Sequence, residues 1–540
     1  MKRSIDRLTN EPFDLLVIGG GIHGAGIARD AARRGLRVAL LEKGDFGEGT
    51  SSRSSRLIHG GLRYLAQLQV GVVRECLRER TTLLARAPHL VRPLGFLLPF
   101  YRPASRGGGG RGRFSLRLGL RLYDSLARRG PLPPHRLIGP EEALAMEPAL
   151  RRAGLLGAAL YWDAWCDDRR LVIANLVAAA RAGAVLANHA EVLTVEPGLI
   201  VHARDGLTRE GFRVRAKAIA NAAGPLADEV AKRVGLVEPP RLRLSKGAHL
   251  VFPATRSRHA VLLQSPIDGR VIFVLPDLDT TVVGTTETAF TGDPLSVAAS
   301  TDDVSYLLDS VRELMPEAAF SRERLLYAFA GVRPLLSGRS EALGALSRQS
   351  RIVEARIDGG RFLSVLGGKL TAYRALAERV VNRLTERPCT TREDPLPGAC
   401  SDVPEDFERT SSARARDVAG VAPDIAGHLL RRYGSEWDRV LEHARGRGDL
   451  LERLEPGRPE IGAEVVHAVR CEMALQLADV ILGRLTLGRS AGQGIASAAR
   501  VAQIMAAELG WDERRTEQEL RDFHEKRRRR HEVVQGRGGG

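Results

Sequence analysis

Hydrophobic positions at the start of the chain switch between short apolar runs and helical spacing. Residues 13–19 (FDLLVIG) form an apolar run that predicts a buried strand. Residues 24–34 have helical spacing, and residues 36–42 form a second apolar run that ends in Glu42. This order of strand, helix and strand predicts the first unit of a parallel α/β sheet. Residues 72–87 predict a further helix, which Pro88 ends.

The hydrophobic pattern changes twice after residue 240. Short apolar runs at 248–252, 260–264, 271–275 and 281–285 alternate with Pro, Gly and Asp, which predicts an antiparallel sheet. Beyond residue 400 strand signals are few, and apolar side chains recur at every fourth position, as at Ile461, Val465, Val469, Met473 and Leu477. This spacing predicts a separate helical domain, with the proline-rich stretch 388–397 as its linker.

Length and composition narrow the class of protein. The 540 residues exceed the ~250–300 that a single core serves, so we expect at least two domains. Apolar residues make up 44% and charged residues 27%, which excludes a wholly disordered chain. The net charge of +16 favours anionic partners. The first residues are polar and no apolar run approaches the ~20 residues of a membrane-spanning helix, so we expect neither a signal peptide nor a membrane span.

The cysteines are few and scattered. None of the five forms a CxxC pair, so we expect no disulfide framework and no metal site, and a reducing cytoplasm as the compartment. The five are Cys76, Cys166, Cys389, Cys400 and Cys471.

A glycine motif directly follows the first predicted strand. Gly19, Gly21 and Gly24 spell GxGxxG and open the first predicted helix. In a strand–turn–helix setting such glycines permit a tight turn, let the backbone approach a pyrophosphate and let the helix pack on the sheet. Glu42 ends the second strand, where a carboxylate can accept hydrogen bonds from a ribose. The motif predicts a dinucleotide site, without deciding between NAD and FAD.

The next segment carries a family resemblance. Residues 49–65 (GTSSRSSRLIHGGLRYL), together with the preceding GGGIHGAGIARDAARRGLRVALLEKGDF, closely resemble the FAD-dependent, quinone-linked glycerol-3-phosphate dehydrogenases. One departure is Gly483, which precedes Arg484 where the family usually has two arginines. Further blocks of the same family follow in order: YWDAWCDDRRLVIAN (161–175), NAAGP (221–225), KGAHLVFP (246–253), VVGTTE (282–287), AGVRPL (330–335), GGKLTAYR (367–374) and MALQLADVILGR (473–484).

The resemblance implies an α/β + α fold: a doubly wound FAD-binding domain, an inserted antiparallel substrate domain and a helical C-terminal domain. We expect the FAD-binding domain to comprise residues 1–100, 156–235 and 346–397. Residues 101–155 would connect its segments and face a membrane, residues 236–345 would form the substrate domain, and residues 398–540 the helical domain.

FAD is the cofactor that the resemblance implies, and we expect it to be held without a covalent link. Besides the glycine motif and Glu42, Thr50, Ser51 and Ser52 would line the pyrophosphate and the flavin. The turn formed by Gly368, Lys369, Leu370 and Thr371 enters a helix, whose N-terminus would stabilise negative charge on the reduced flavin.

The implied reaction oxidises sn-glycerol 3-phosphate to dihydroxyacetone phosphate, with hydride transfer from C2 to flavin N5. A phosphate dianion calls for Arg and Lys, and the resemblance places the substrate-binding residues at Arg63, Tyr64, Arg333 and Lys369. Histidine titrates closest to neutral pH, so His59 and His249 are the candidates for the base. We favour His59, which precedes the glycine pair and Arg63, but the sequence alone does not separate the two.

The electron acceptor and the cellular partners are predicted less directly. A quinone is the acceptor that the resemblance implies, with oxygen and release of hydrogen peroxide as the alternative. A flavin-containing RNA-binding protein is a remote alternative, and aromatic residues at 5% without a recognition motif argue against nucleic acid. A homodimer stays open.

Two basic segments suggest a peripheral position on the inner face of the cell membrane. Residues 101–130 contain eight arginines and one acid, and on a helix Arg113, Arg117 and Arg121 would align beside Leu118, Leu122 and Leu126. The apolar residues of this segment also alternate as in a strand, which is the alternative to a helix. Residues 526–530 add five consecutive cations. The remaining arginines of the first segment are Arg102, Arg106, Arg111, Arg128 and Arg129.

Overall fold

A six-stranded sheet forms the centre of the molecule in the computed structural model. The structure describes residues 1–102, 109–127, 130–236, 242–255, 257–337, 349–400 and 420–534, without the side chains of Arg63, Ala66 and residues 109–116. The strands of the central sheet are parallel except for the antiparallel hairpin at one edge. In spatial order they are Ser350–Ile357, Gly360–Gly367, Ala218–Asn221, Leu15–Ile18, Val38–Leu41 and Val185–Ala187.

The predicted strand–helix–strand unit is confirmed, with shifted boundaries. The strands are Leu15–Ile18 and Val38–Leu41, every residue of which is buried. The helix is Ile22–Arg33 and begins two residues before the predicted start, because Gly21 still has extended backbone. Small buried alanines on this helix let it lie close to the sheet.

Helices cover one face of the central sheet and a second sheet covers the other. Ile22–Arg33, Asp168–Arg181 and Tyr373–Val381 share one core with the sheet. The opposite face packs on a four-stranded sheet and on the helices Ile5–Asn10 and Ala227–Arg233. The strands of this smaller sheet are Pro12–Phe13, Gly211–Ala216, Ile200–Asp205 and Ala190–Glu196.

A ten-stranded sheet forms a second large layer in the described part of the chain, where we expected a substrate domain, and the four strands predicted after residue 240 all belong to it. Its pairs are antiparallel apart from Ala260–Gln264 on Val91–Tyr101, and the helix Thr301–Arg312 packs against it. Its strands are Thr288–Phe290, Leu242–Pro253, Thr280–Gly284, Val271–Asp277, Ala260–Gln264, Val91–Tyr101, Leu155–Cys166 and Leu57–Ile58, with Tyr327–Leu336 beside Leu242–Pro253 and Arg136–Ile138 beside Leu155–Cys166.

The residues that form this sheet do not follow the predicted domain boundaries. The long strands Val91–Tyr101 and Leu155–Cys166 pair along their lengths inside it, although we expected residues 1–100 and 156–235 to belong to the FAD-binding domain. Residues 101–155 return to the same sheet through the strand Arg136–Ile138. An apolar run predicts a strand but not which strand it pairs with, so the sequence pattern could not reveal this arrangement.

The C-terminal domain is helical, as predicted, and has a core of its own. The fourfold spacing from Ile461 to Leu477 is not one helix, because Met473 adopts a left-handed backbone conformation and ends it. The stretch 388–397 is not a free linker, since the N–H of Leu396 donates to the carbonyl of Arg86 at 2.9 Å. The longer helices of the domain are Pro423–Tyr433, Trp437–Glu442, Gly462–Glu472, Ala498–Leu509 and Glu513–His531.

The first basic segment contains a helix, Gly109–Ala127. Arg117 and Arg121 are exposed on it, and Leu118 and Leu122 are 60% and 42% exposed. No helix in the described part of the chain is both long enough and apolar enough to cross a membrane. The expectations for Arg106, Arg111, Arg113, Arg128 and Arg129 concern side chains outside the described parts.

The second basic segment, residues 526–530, does not form a free cationic surface. It lies on the helix Glu513–His531, where Lys526 Nζ is 2.8 Å from Glu48 Oε1 and Arg530 donates to the carbonyl of Ser52. The exposed Arg528 and Arg529 both pair with Glu525. Lys526 and Arg530 therefore face the rest of the protein, Arg528 and Arg529 share one acid, and a membrane position for this run stays a prediction.

The helix-rich domain is joined to the central sheet through the carboxylate of Asp45. Arg484 donates to both of its oxygens, at 2.5 and 2.8 Å, and Arg169 donates to Oδ2 at 2.5 Å. Asn188 also donates to Oδ1, at 2.9 Å. All four residues are buried, so the charges have one another as counterions instead of water. The group links the loop after the Val38–Leu41 strand, the helix Asp168–Arg181 and the C-terminal domain.

Replacing Asp45 by Asn should destabilise the whole protein. The change keeps the side-chain shape but leaves two buried guanidinium groups without an anion, a loss of ~3–5 kcal/mol in the free energy of unfolding. Urea unfolding followed by tryptophan fluorescence measures it. Glu517→Gln, which breaks an exposed pair with Arg521, is the matched control and should cost less than ~1 kcal/mol. Equal losses in the two variants would contradict a supporting role for Asp45.

Candidate active site

The glycine motif forms a cradle at the carboxyl end of the Leu15–Ile18 strand. Gly19 has φ +106°, and a Cβ there would lie 2.7 Å from the carbonyl oxygen of Ala222. A Cβ on Gly24 would collide with the carbonyl oxygen of Gly19. Only glycines therefore let the turn and the helix Ile22–Arg33 approach this closely. The resulting helix N-terminus faces the same cavity as Gly21, which is the geometry that binds phosphate groups.

Glu42 lies beside this cradle, at the end of the Val38–Leu41 strand. Its Oε2 accepts the N–H of Gly20 at 2.6 Å and its Oε1 accepts the N–H of Gly44 at 2.8 Å. Burial raises the pKa of Glu42, and the two backbone hydrogen bonds oppose this effect. The carboxylate is thus fixed in orientation on the cavity wall, with lone pairs left for a ribose hydroxyl.

One cavity of about 1340 Å³ contains nearly all the predicted site residues. It exceeds the ~300–1,000 Å³ of common small-molecule pockets, so it has room for a dinucleotide and a small substrate. Gly24, Ser52 and His249 are not on its wall, and the side chain of Arg63 lies outside the described parts. The predicted residues on the wall are Gly19, Gly21, Glu42, Thr50, Ser51, His59, Tyr64, Arg333, Gly368, Lys369, Leu370 and Thr371.

Ser52 differs from its two neighbours in the turn Thr50–Ser52. Ser51 Oγ accepts the N–H of Ile22 at 2.9 Å, at the helix N-terminus, and Thr50 donates to the carbonyl of Val332. Ser52 instead donates to the carbonyl of Glu48 and accepts from Arg530. The expectation that Ser52 lines the cofactor is wrong, because a 3₁₀ turn directs successive side chains to different sides.

The second glycine turn, after the Gly360–Gly367 strand, forms the opposite wall. Gly367 and Gly368 have φ +65° and +100°, which favours glycine. Thr371 Oγ1 accepts the N–H of His59 at 3.1 Å and lies 3.3 Å from its carbonyl oxygen. Lys369 Nζ lies 3.5 Å from the centre of the Tyr64 ring, a cation–π contact. The turn therefore holds His59, Lys369 and Tyr64 in one corner.

His249 lies behind the cavity wall. It is 1% exposed and stacks on Phe329 with ring centres 4.8 Å apart. Its Nε2 is 2.8 Å from Ser55 Oγ, and Ser55 does line the cavity. Burial and the positive charges of Arg333 and Arg56 lower the pKa of His249 to about 3. The imidazole is therefore neutral at physiological pH, and Ser55 lies between its Nε2 and the cavity.

Arg333 lies on the strand Tyr327–Leu336 and is held in place by two threonines. Its Nη2 donates to Thr285 Oγ1 at 2.8 Å and its Nη1 to the carbonyl of Thr286 at 3.3 Å. A Cβ on the facing Gly247 would collide with the guanidinium, so this glycine provides the space for it. The threonines belong to the VVGTTE block, to which the sequence analysis assigned no role.

Three further wall residues were missed from the sequence. Arg53 and Ser55 lie within the segment 49–65. This segment forms an irregular loop, and its sequence does not indicate which side chains point into the cavity. Lys526 reaches the wall from the C-terminal helix and pairs there with Glu48. No local signal marks it, since its partner is far away along the chain.

Comparison with known proteins identifies the family of the chain. Residues 14–374 match the family model described as FAD dependent oxidoreductase, and residues 389–516 match the C-terminal domain of alpha-glycerophosphate oxidase. A glycerol-3-phosphate dehydrogenase of Synechocystis sp. is 34% identical over 97% of this chain and 98% of its own length. An aerobic glycerol-3-phosphate dehydrogenase of Staphylococcus aureus is 34% identical over 88% of this chain and 87% of its own.

A solved structure agrees over almost the whole chain. The glycerol-3-phosphate dehydrogenase of Bacillus halodurans, complexed with FAD, has a TM-score of 0.79 and 28% identity, covering 97% of this chain and 96% of that one. The predicted FAD-dependent fold, with its helical C-terminal domain, is thereby confirmed. The chain belongs to the family of FAD-dependent glycerol-3-phosphate dehydrogenases, and FAD is its cofactor.

Proposed function

We propose that this protein oxidises sn-glycerol 3-phosphate to dihydroxyacetone phosphate and passes the electrons to a quinone. The observation that carries the proposal is a single cavity in which the dinucleotide cradle meets His59, Arg333 and Lys369. The names of the most similar relatives support the same substrate.

The cradle residues fit the cofactor. Gly21 leaves open space in front of a helix N-terminus, which suits the pyrophosphate. Glu42 suits a ribose, and the backbone around Leu370 and Thr371 suits the flavin edge. When bound, FAD supplies the acceptor for the hydride that leaves C2 of the substrate. Non-covalent attachment stays a prediction, which release of yellow flavin on denaturation would bear out.

The substrate phosphate would bind between Arg333 and Lys369, with Arg63 as a third cation. A planar guanidinium can donate two parallel hydrogen bonds to a phosphate, and an ammonium adds a point charge. Thr285 and Thr286 hold Arg333 in one orientation before the substrate arrives, which lowers the entropy lost on binding. Fixing the phosphate also fixes the distance of C2 from the flavin.

His59 is the residue that we assign as the base for the O2 proton. It lies on the cavity wall, and its backbone is bonded to the turn that would hold the flavin. His249 would act behind Ser55, which could pass a proton from the cavity to Nε2. Its low pKa makes it a weak proton acceptor, and this favours His59.

The quinone would approach through an apolar part of the same cavity. Leu98, Leu262 and Phe273 line it, as do Leu118 and Leu122 of the helix Gly109–Ala127. Because these two leucines are also partly exposed beside Arg117 and Arg121, this helix could lie on an anionic membrane with the opening facing the lipid. We therefore place the protein in the cytoplasm, at the inner membrane face. A homodimer is not assigned to any surface.

Anaerobic reduction of the bound flavin tests the substrate assignment. Glycerol 3-phosphate should bleach the flavin absorbance, and glycerol should do so far more slowly because it lacks the phosphate. Bleaching by glycerol at the same rate, or none by glycerol 3-phosphate, would contradict the proposed substrate.

Replacing Arg333 by Lys should weaken the reaction with glycerol 3-phosphate specifically. Loss of one charge-assisted contact should reduce kcat/KM by roughly ten- to a hundredfold, or ~1.5–3 kcal/mol. The effect on the residual reaction with glycerol should be small. Arg324→Lys, on the same domain but outside the cavity lining, is the control. Equal losses on both substrates would show that Arg333 shapes the fold rather than binds phosphate.

The double substitution Leu118→Ser with Leu122→Ser should impair electron transfer to a long-chain quinone in anionic vesicles. The rate of anaerobic flavin reduction should fall far less, because these leucines are partly exposed and have no polar group that could bind the substrate phosphate. Vesicle co-sedimentation should also fall, and Ile495→Ser, which changes an exposed residue of the C-terminal domain, should alter neither. Fast peroxide release with no response to quinone would favour oxygen as the acceptor.

The stability of the protein should decrease in acid partly because of His249. Its pKa is lowered in the folded state, so below pH ~6.5 the unfolded chain binds a proton that the folded chain does not. The stabilisation is therefore complete above pH ~6.5 and is lost as the pH falls toward 3. His249→Gln should reduce the decline in Tm between pH 7 and 4, and His524→Gln, which changes an exposed histidine, should retain it. An unchanged slope in His249→Gln would show that His249 is not buried as a neutral group.

A further inference from the structure

A second cluster of reactive side chains lies in the C-terminal domain, outside the FAD cavity. His467 and Cys471 are four residues apart on the helix Gly462–Glu472, so their side chains lie on the same helix face. His443 follows directly after the helix Trp437–Glu442 and meets them from the side. His467 is buried, and the other two are half-buried.

The potential ligand atoms of this cluster converge on one point. One ligand atom of each residue lies within 4.8 Å of those of the other two. His443 Nε2 is 3.3 Å from His467 Nδ1 and 3.9 Å from Cys471 Sγ. In a tetrahedral site, zinc–nitrogen bonds of about 2.0–2.1 Å separate two nitrogens by about 3.3 Å, and sulfur and nitrogen by about 3.6 Å. The measured distances therefore leave room for one zinc ion with a shift of a few tenths of an ångström.

The residues that contact the cluster from behind also resemble those of a metal site. His467 uses Nδ1 toward the cluster and directs Nε2 at Glu472 Oε1, 3.5 Å away. Glu472 is buried and is oriented in turn by Arg170. A carboxylate behind a histidine fixes the ring and its tautomer, the usual arrangement behind metal-binding imidazoles.

The other trio of this kind in the described chain, Asp45, His189 and Asp479, has a different character. Its acids already have cationic or hydrogen-bonded partners, since Asp45 binds Arg169 and Arg484, and Asp479 binds His189. A cation placed there would compete with buried guanidinium groups. The His443–His467–Cys471 cluster offers instead two nitrogens and a sulfur, a donor set that suits zinc.

We propose that His443, His467 and Cys471 bind one Zn²⁺, with water in the fourth position. The ion would fasten the end of the helix Trp437–Glu442 to the helix Gly462–Glu472 and so stabilise the C-terminal domain. The proposal replaces our expectation of no metal site, which rested on cysteine spacing alone. The flavin reaction does not require this ion.

Metal analysis of the FAD-loaded protein tests the site. After treatment with a chelator and incubation with ZnCl₂, the desalted protein should retain one zinc per FAD. Cys471→Ser and His443→Gln should lose it while keeping their FAD, and Cys400→Ser and His202→Gln should retain it. Adding Zn²⁺ should raise the Tm of the chelated wild type but not that of Cys471→Ser.

Cobalt provides a readout that does not depend on the variants folding. Co²⁺ added to the chelated wild type should produce a thiolate-to-cobalt charge-transfer band and the visible absorption of tetrahedral Co²⁺. Substoichiometric zinc, zinc that survives in all four variants, or a cobalt spectrum without the thiolate band would overturn the proposal. Retention of copper but not zinc would overturn the choice of ion.

Discussion

The docking of the helical domain on the FAD-binding domain depends on the buried carboxylate of Asp45. Its two oxygens accept hydrogen bonds from an arginine of the FAD-binding domain and from an arginine of the helical domain. A charge at this depth requires such partners, and the partners require it in return. Glu42, three residues earlier, faces the cofactor cavity from the same loop. The position of Glu42, which we propose for ribose binding, is thus coupled to the docking of a domain more than 400 residues away along the chain.

The same network accounts for the glycine that precedes Arg484. A Cβ at Gly483 would lie 2.7 Å from the guanidinium of Arg169. A larger residue in this conformation would displace Arg169 from Asp45. The glycine is therefore suited to this chain's close packing of two buried arginines, a relation that no local pattern reveals.

Local patterns predicted the parts of the fold that depend on neighbouring residues. The glycine turns, the strand before the first of them and the strands after residue 240 follow from periodicity and from residues that tolerate positive φ. The pairing of Val91–Tyr101 with Leu155–Cys166 does not follow from periodicity, because tertiary packing determines which strands pair. Within the site, Thr50 and Ser51 line the cavity while Ser52 turns away, a difference set by one 3₁₀ turn. The contacts of Lys526 with Glu48 and of Arg530 with Ser52 could not be predicted, because these partners are distant in the sequence.

The contacts of Lys526 with Glu48 and of Arg530 with Ser52 form late during synthesis of the chain. The second contact joins residues 478 positions apart, so at ~5–20 residues per second a ribosome needs about 25–95 s to progress from one partner to the other. During that interval the nascent cofactor domain lacks part of its wall. Lys526 completes its part of the cavity wall only once this helix has been synthesised, so any chain that ends before residue 526 lacks that side chain on the wall.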